Sequence, residues 1–218
     1  MKRSGFLAAA LAASITVACG GGTDRNTGTA DNTTIAPGTA DSVGTSGNAT
    51  GVPRDVENFV NEAAMHNTAE IELGKIAAQK GTSPQVKQFG EMMVREHTMA
   101  GNELKQAVGN RLTLHEQMDD DHRELAQKLN SLSGMEFDRQ YINAMVDGHD
   151  EVRDLLDDRA DDARNNNNTT GTSGSTANAN DQLEMSVNQW AAKTLPAVEQ
   201  HLARAKQLQE TIARAGTR

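Results

Sequence analysis

The sequence predicts an all-α protein, an antiparallel four-helix bundle with a short extra helix between its second and third long helices. Three observations carry this. From residue 55 onward apolar side chains recur every three or four positions, the period that places them on one helix face. Aromatic residues make up only 3% of the chain, so Ala, Leu, Val, Ile and Met must fill the interior, which suits helix-on-helix packing better than a sheet sandwich. Each helical stretch carries a single apolar stripe and the connections are short or polar, so packing the four stripes together buries them all.

Ahead of the helices, residues 1–19 read as an export signal. Lys2 and Arg3 give a positive start, residues 6–17 form an apolar run, and small residues precede Cys19. That run is too short for a permanent bilayer span. Thr16-Val17-Ala18-Cys19, followed by three glycines, resembles the lipobox at which bacterial lipoproteins are cleaved and acylated on cysteine. It predicts a membrane partner through a lipid on Cys19. Thr16 stands where that pattern usually has Leu, and simple secretion after cleavage near Ala18 is the alternative. Both readings place the protein in the cell envelope, at the periplasm or outer surface, or beyond it. Cys19 is the only cysteine, so no intramolecular disulfide supports the fold. Residues 20–53 hold Gly, Thr, Ser, Asn, Asp and Ala with almost no large apolar side chain, and read as a disordered tether reaching on the order of 30 Å.

The folded domain is expected over residues 54–215. Its first helix spans about 55–80, with Val56, Val60, Ala63, Glu70, Gly74 and Ala77 on one face and Gly81 placed to end it. Ser83 as N-cap and Pro84 at the first helical position open the second helix, whose inward face reads Val86, Phe89, Met93, His97, Ala100, Leu104 and Ala107. A short helix follows at about 116–132, where Asp119, Asp120 and Asp121 suit a helix N-terminus. Ser133 and Glu136, at capping-box spacing, open the third long helix, which runs to about Arg164 with Phe137, Tyr141, Met145, His149, Val152 and Leu156 inward. Residues 165–180 are a polar low-complexity stretch expected to form a disordered loop. Asp181 and Glu184 repeat the capping-box spacing before the fourth long helix, which continues to about Ala213 and presents Val187, Ala191, Thr194, Val198, His201, Leu202, Ala205, Leu208 and Ile212 inward. Pro196 within it predicts a kink near Ala192.

An internal repeat marks one level of the bundle. Shifting the chain by 52 residues aligns 70–104 with 122–156 without a gap, pairing Gln88 with Gln140, Met93 with Met145, Val94 with Val146 and His97 with His149. In both copies an aromatic residue, a Met and a His follow one another at four-residue spacing, so two helices present the same triplet inward. Counting along the helices from the turn near Thr82 puts His66 and Glu70 within about a turn of His97. Glu70 lies at the centre of an apolar stripe, a costly place for an unpaired carboxylate. Glu199 and His201 fall near the level of His149.

Several motifs resemble one known family. Ala69-Glu70-Ile71-Glu72-Leu73-Gly74, Val86-Lys87-Gln88-Phe89-Gly90, Met93-Val94-Arg95-Glu96-His97, Phe137-Asp138-Arg139-Gln140-Tyr141, Met145-Val146-Asp147-Gly148-His149, Lys193-Thr194-Leu195-Pro196 and His201-Leu202 together are similar to the bacterial domain-of-unknown-function 4142 family. The resemblance covers nearly all of the expected folded region and implies an exported, ferritin-like helical bundle. It implies no activity, because the family's function is unassigned. Ferritin-like proteins that bind two irons use Glu-x-x-His on two helices. Here Val94 and Val146 stand three residues before His97 and His149, so those bridging carboxylates are missing, which argues against di-iron oxidase chemistry.

Two functions fit these residues. The first is a non-enzymatic envelope module, structural or partner-binding, in which Met93 and Met145 are core filler and each histidine bonds a carboxylate such as Glu70 or Glu199. The second is a metal-binding or metal-buffering bundle using Glu70, His97, His149 and His201, with His66 a further candidate. Imidazoles and a carboxylate suit Fe, Cu or Zn, and thioethers from Met93 and Met145 would favour copper(I). The second reading requires ring nitrogens of His97 and His149 within about 5 Å of each other, because metal–nitrogen bonds are near 2 Å. His115, His122 and the acidic run around Asp161 read as solvated surface. No catalytic residue is assigned: the body has no cysteine, no Gly-x-Ser-x-Gly and no phosphate-binding glycine loop, and a redox enzyme would need bound iron or copper. The net charge of −9, with no basic stripe interleaved with aromatics, excludes nucleic acid as an expected partner. A protein partner and an oligomeric state are not legible.

Overall fold

A computed structural model of the chain describes residues 51–168 and 178–216, with side chains up to Arg164 in the first stretch. The expected export signal, most of the tether and the centre of the 165–180 loop lie outside these residues. Five helices follow in order: α1 (Arg54–Lys80), α2 (Pro84–Val108), α3 (Asp120–Ser131), α4 (Gly134–Asn168) and α5 (Ala179–Ala215). No strand occurs among the described residues, so the fold class is all-α, as the sequence predicts.

Local chemistry explains where the helices begin. The Ser83 side chain accepts from Gln85 N with Pro84 behind it, so α2 starts where the sequence places it. The short helix starts later than residue 116, because Asp119 is its N-cap and accepts from His122 N at 2.9 Å. At the other end of the bundle, α4 continues to Asn168, past the expected stop at Arg164, through asparagines that are weak helix formers but not breakers. The capping box of α5 is Asn178 with Asp181, three residues upstream of the expected Asp181 and Glu184, and the helix accordingly begins at Ala179. Val52, expected to lie outside the folded domain, is 1% exposed and belongs to the core.

Contacts between the long helices set the architecture. Across α1 and α2, Gly74 meets Gly90 and Asn67 meets His97. Across α4 and α5, Arg159 pairs with Glu184 and Asn143 with Gln209. Glu96 and Glu103 of α2 reach His201 and Lys193 of α5, and Asp55 and Glu70 of α1 reach Arg159 and His149 of α4. In each pair the numbers rise along one helix as they fall along the other, so these neighbours run antiparallel. The α1–α2 crossing is tight, since a Cβ at Gly90 would stand 2.7 Å from the Gly74 carbonyl oxygen. Asp138 of α4 ties down the intervening turn by accepting from the backbone N–H groups of Thr82 and Ser83, both at 2.8 Å. The short α3 lies against α1 and α4, held by buried Leu129 and by Lys128 donating to Gln140.

The core is divided in two. One apolar cluster gathers Val56, Val60, Leu104, Val108, Leu156 and Trp190, and the other gathers Leu73, Phe89, Met93, Tyr141, Met145 and Leu202. Along every long helix the chain passes from one cluster to the other through a polar residue.

Candidate metal centre

Each long helix places a buried polar side chain in the layer between the clusters. Glu70 stands between Ala64 and Leu73 on α1, His97 between Met93 and Leu104 on α2, His149 between Val146 and Val152 on α4, and His201 between Val198 and Leu202 on α5. All four are buried, at 5%, 6%, 1% and 4% exposure. A helix repeats its inward face about every 3.6 residues, so one polar residue replaces one core position per helix and the four replacements fall at one height.

The three imidazoles form a triangle. Ring centroids are 5.6 Å apart for His97 and His149, 5.4 Å for His97 and His201, and 5.4 Å for His149 and His201. One ring nitrogen from each lies within 4.8 Å of the other two. A metal bond near 2 Å places nitrogens on a shared ion roughly 3 to 3.5 Å apart, so small rotamer shifts would close the set on one ion.

One nitrogen of each ring is already committed to a hydrogen bond. His97 Nδ1 donates to Asn67 Oδ1 at 3.2 Å, His149 Nδ1 to the Met145 carbonyl at 2.9 Å, and His201 Nε2 to Glu96 Oε2 at 2.8 Å. In a neutral ring such a bond fixes the tautomer with its lone pair on the other nitrogen, the arrangement that metal-ligating histidines adopt. The remaining atoms, His97 Nε2, His149 Nε2 and His201 Nδ1, are buried without a hydrogen-bond partner, and so is Glu70 Oε2. Among the described residues only Tyr141 and Asn188 hold further atoms of this kind. Gly101 is part of the construction, because a Cβ there would stand 2.6 Å from Asn67 Nδ2 and displace the group that orients His97.

Burial dominates the electrostatics. It lowers His97 well below the usual imidazole range, helped by His149 and His201, and lowers His149 to about 3, helped by His201 and opposed by the bond to Met145. Burial raises Glu70 to about 8. The 3.5 Å approach of His149 Nδ1 to Glu70 Oε1 is therefore a contact between neutral groups near pH 7 rather than an ion pair. Glu96 behaves differently: burial pushes its pKa up, but hydrogen bonds from His201 and Arg95 outweigh this and hold it below the usual range. Glu96 thus presents an ionised acceptor to His201.

The structure brings together His97, His149 and His201, with Glu70 beside His149. It does not bring in His66, whose ring packs edge-on against His122 at 5.3 Å. His122 is half-buried and bonds Asp119 at 2.6 Å, which corrects its reading as solvated surface; His115 is exposed. Glu199 is exposed, because it lies on the outer face of α5, two residues from His201. Met93 and Met145 are fully buried in the apolar cluster one helical turn before His97 and His149, and the Met145 carbonyl accepts from His149 Nδ1. Asn67 and Glu96 are the residues that sequence reasoning missed.

A family model described as a domain of unknown function, DUF4142, matches residues 42–170, more than half of the chain. The chain belongs to the DUF4142 family. The matched stretch includes Glu70, His97 and His149 and stops before α5, so in this DUF4142 protein the third imidazole and its helix lie beyond it. No curated protein and no solved structure matches the chain.

Proposed function

We propose that this DUF4142 protein is an envelope lipoprotein, anchored through Cys19, whose helical domain holds one first-row transition-metal cation on His97, His149 and His201 with Glu70 beside it. The observation that carries the metal reading is the state of the three rings: each has one nitrogen satisfied and the other buried and unpartnered, and one nitrogen from each ring lies within 4.8 Å of the other two. A purely structural module gains nothing from this layer. Buried unpaired polar atoms cost on the order of 1–3 kcal/mol each, and apolar residues would join the two clusters into one core. A bound cation removes that cost. Three neutral imidazoles and a carboxylate suit Zn, Fe or Cu, and coordination by three protein nitrogens leaves a further position open. The Cys19 anchor rests on the residues of the signal-like segment; among the described residues no helix is long and apolar enough to cross a membrane.

Elemental analysis of the protein purified from membrane and soluble fractions tests both parts. The expected result is one transition-metal ion per chain in membrane-bound protein, no metal in His149→Ala, and release of Cys19→Ser from the membrane with its metal retained. Wild-type protein that stays metal-free after incubation with Zn(II), Fe(II) and Cu(II) would leave only a scaffold.

A further inference from the structure

A polar cleft of about 290 Å³ opens where α1, α3 and α4 meet. Its rim carries Asp147 and Glu151, both exposed, with His122 and Lys128 across from them on α3. Glu70 also lines it, and this is the residue whose Oε1 lies 3.5 Å from His149 Nδ1 and whose Oε2 is buried without a partner. The same carboxyl group therefore faces the cleft and touches an imidazole of the triangle.

Gly148 forms part of the wall. It lies in the middle of α4, where glycine costs roughly 0.5–1 kcal/mol relative to alanine and so calls for a reason. A Cβ at this position would stand 3.2 Å from Glu70 Oε1, tighter than ordinary contact, and larger side chains would fill the space between Glu70 and the rim. The second cavity that reaches the triangle, lined by Ala63, Asn67, His97, Trp190, Thr194 and Val198, is almost wholly apolar and holds only about 20 Å³. A hydrated cation shedding its water needs oxygen and nitrogen donors along its path, and the polar cleft supplies them.

We propose that this cleft is the port by which a divalent transition-metal cation reaches the three histidines. Asp147 and Glu151 draw the ion in, Gly148 keeps the wall open, and Glu70 hands it from the rim to His149. The proposal rests on the metal reading given above, and its test separates the two.

Metal-free protein is mixed with Co(II) in a stopped-flow instrument, uptake is followed by visible absorption, and final occupancy is measured by equilibrium competition with a chelator. Gly148→Leu is expected to slow uptake and chelator-driven release about tenfold while leaving final occupancy near that of wild type. Gly148→Ala, compatible with a helix, gives a smaller slowing and guards against misfolding of the larger variant. Asp147→Asn combined with Glu151→Gln is expected to slow uptake about threefold at low salt and hardly at all at about 0.5 M salt, where rim charges are screened. Thr194→Leu, which narrows the apolar cavity, leaves the rate unchanged. Full occupancy with unaltered rates in both Gly148 variants and the rim variant would overturn the port but keep the metal centre. No Co(II) bound by wild type would overturn both.

Discussion

Metal-free protein is expected to melt several degrees below protein given Zn(II) or Co(II), and this difference is expected to vanish in His97→Ala, His149→Ala and His201→Ala. A ligand that binds only the folded state stabilises by about 2.7 kcal/mol at a hundredfold excess over Kd, which for a domain of this size raises the melting temperature by roughly 5–10 °C. The triangle exists only in the folded chain, because its members come from α2, α4 and α5, more than fifty residues apart in each case. The metal-dependent difference is the diagnostic quantity, not the melting temperature of any one variant. Each alanine removes a buried unpaired nitrogen, which relieves a cost, and leaves a cavity, which adds one, so metal-free variants can move either way. Calorimetry with and without chelator reads both quantities. Equal melting temperatures for wild type in the two conditions would contradict the account.

The second large effect is on pH. Metal-free protein is expected to be most stable at roughly pH 6–7 and to lose stability on both sides. On the acid side, His97 and His149 stay neutral in the folded state while the unfolded chain takes up protons below 6.5, so stability falls as pH drops from 6.5 toward about 3. On the alkaline side the sign is reversed. Glu70 keeps its proton in the folded state up to about 8, whereas the unfolded carboxyl loses it near 4.5. Stability contributed by the neutral carboxyl is therefore whole below 4.5 and is lost as pH rises from there to about 8. Between 4.5 and 6.5 the two opposing effects overlap, and the two imidazoles outweigh the one carboxyl over most of that range. Glu70→Gln is expected to flatten the alkaline limb, and so is a bound cation, which compensates the ionised carboxylate. Melting curves from pH 5 to 9 in the presence of chelator check this; an alkaline limb of the same steepness in Glu70→Gln would remove Glu70 as its origin.

Much of this was legible from the amino-acid sequence, and the missing parts share one physical cause. Position along a helix can be counted from the chain, because rise and period are fixed. That is why Glu70, His97, His149 and His201 could be placed at one level, and why the 52-residue repeat marked His97 and His149 as counterparts. The repeat has a spatial meaning in the structure, since Phe89 and Tyr141 also meet, with ring centroids 6.3 Å apart. Which helices are neighbours, and how each is rotated, is not counted but decided by packing. Glu96 precedes His97 by one residue, about 100° around the helix, and becomes the partner of His201 only because α2 lies against α5. Asn67 reaches His97 only because glycine at 101 lets it approach. The same limit explains the choice of Glu199, which has the right level and the wrong face.

The departures at helix ends have a local origin. Capping pairs overlap around residues 178–184, and the upstream pair of Asn178 and Asp181 is the one formed. Spacing alone does not choose between adjacent candidates, because both satisfy the same rule. Gly148 lies on the boundary of what a sequence can say. A glycine in mid-helix asks for an explanation, but only the position of Glu70 Oε1 supplies one.

The most direct test of the metal centre is X-ray absorption spectroscopy on protein loaded with one equivalent of Zn(II). The account predicts a first shell containing three imidazole nitrogens at about 2.0–2.1 Å, falling to two in His201→Ala. A shell of water and carboxylate oxygens alone, unchanged by that substitution, would contradict it.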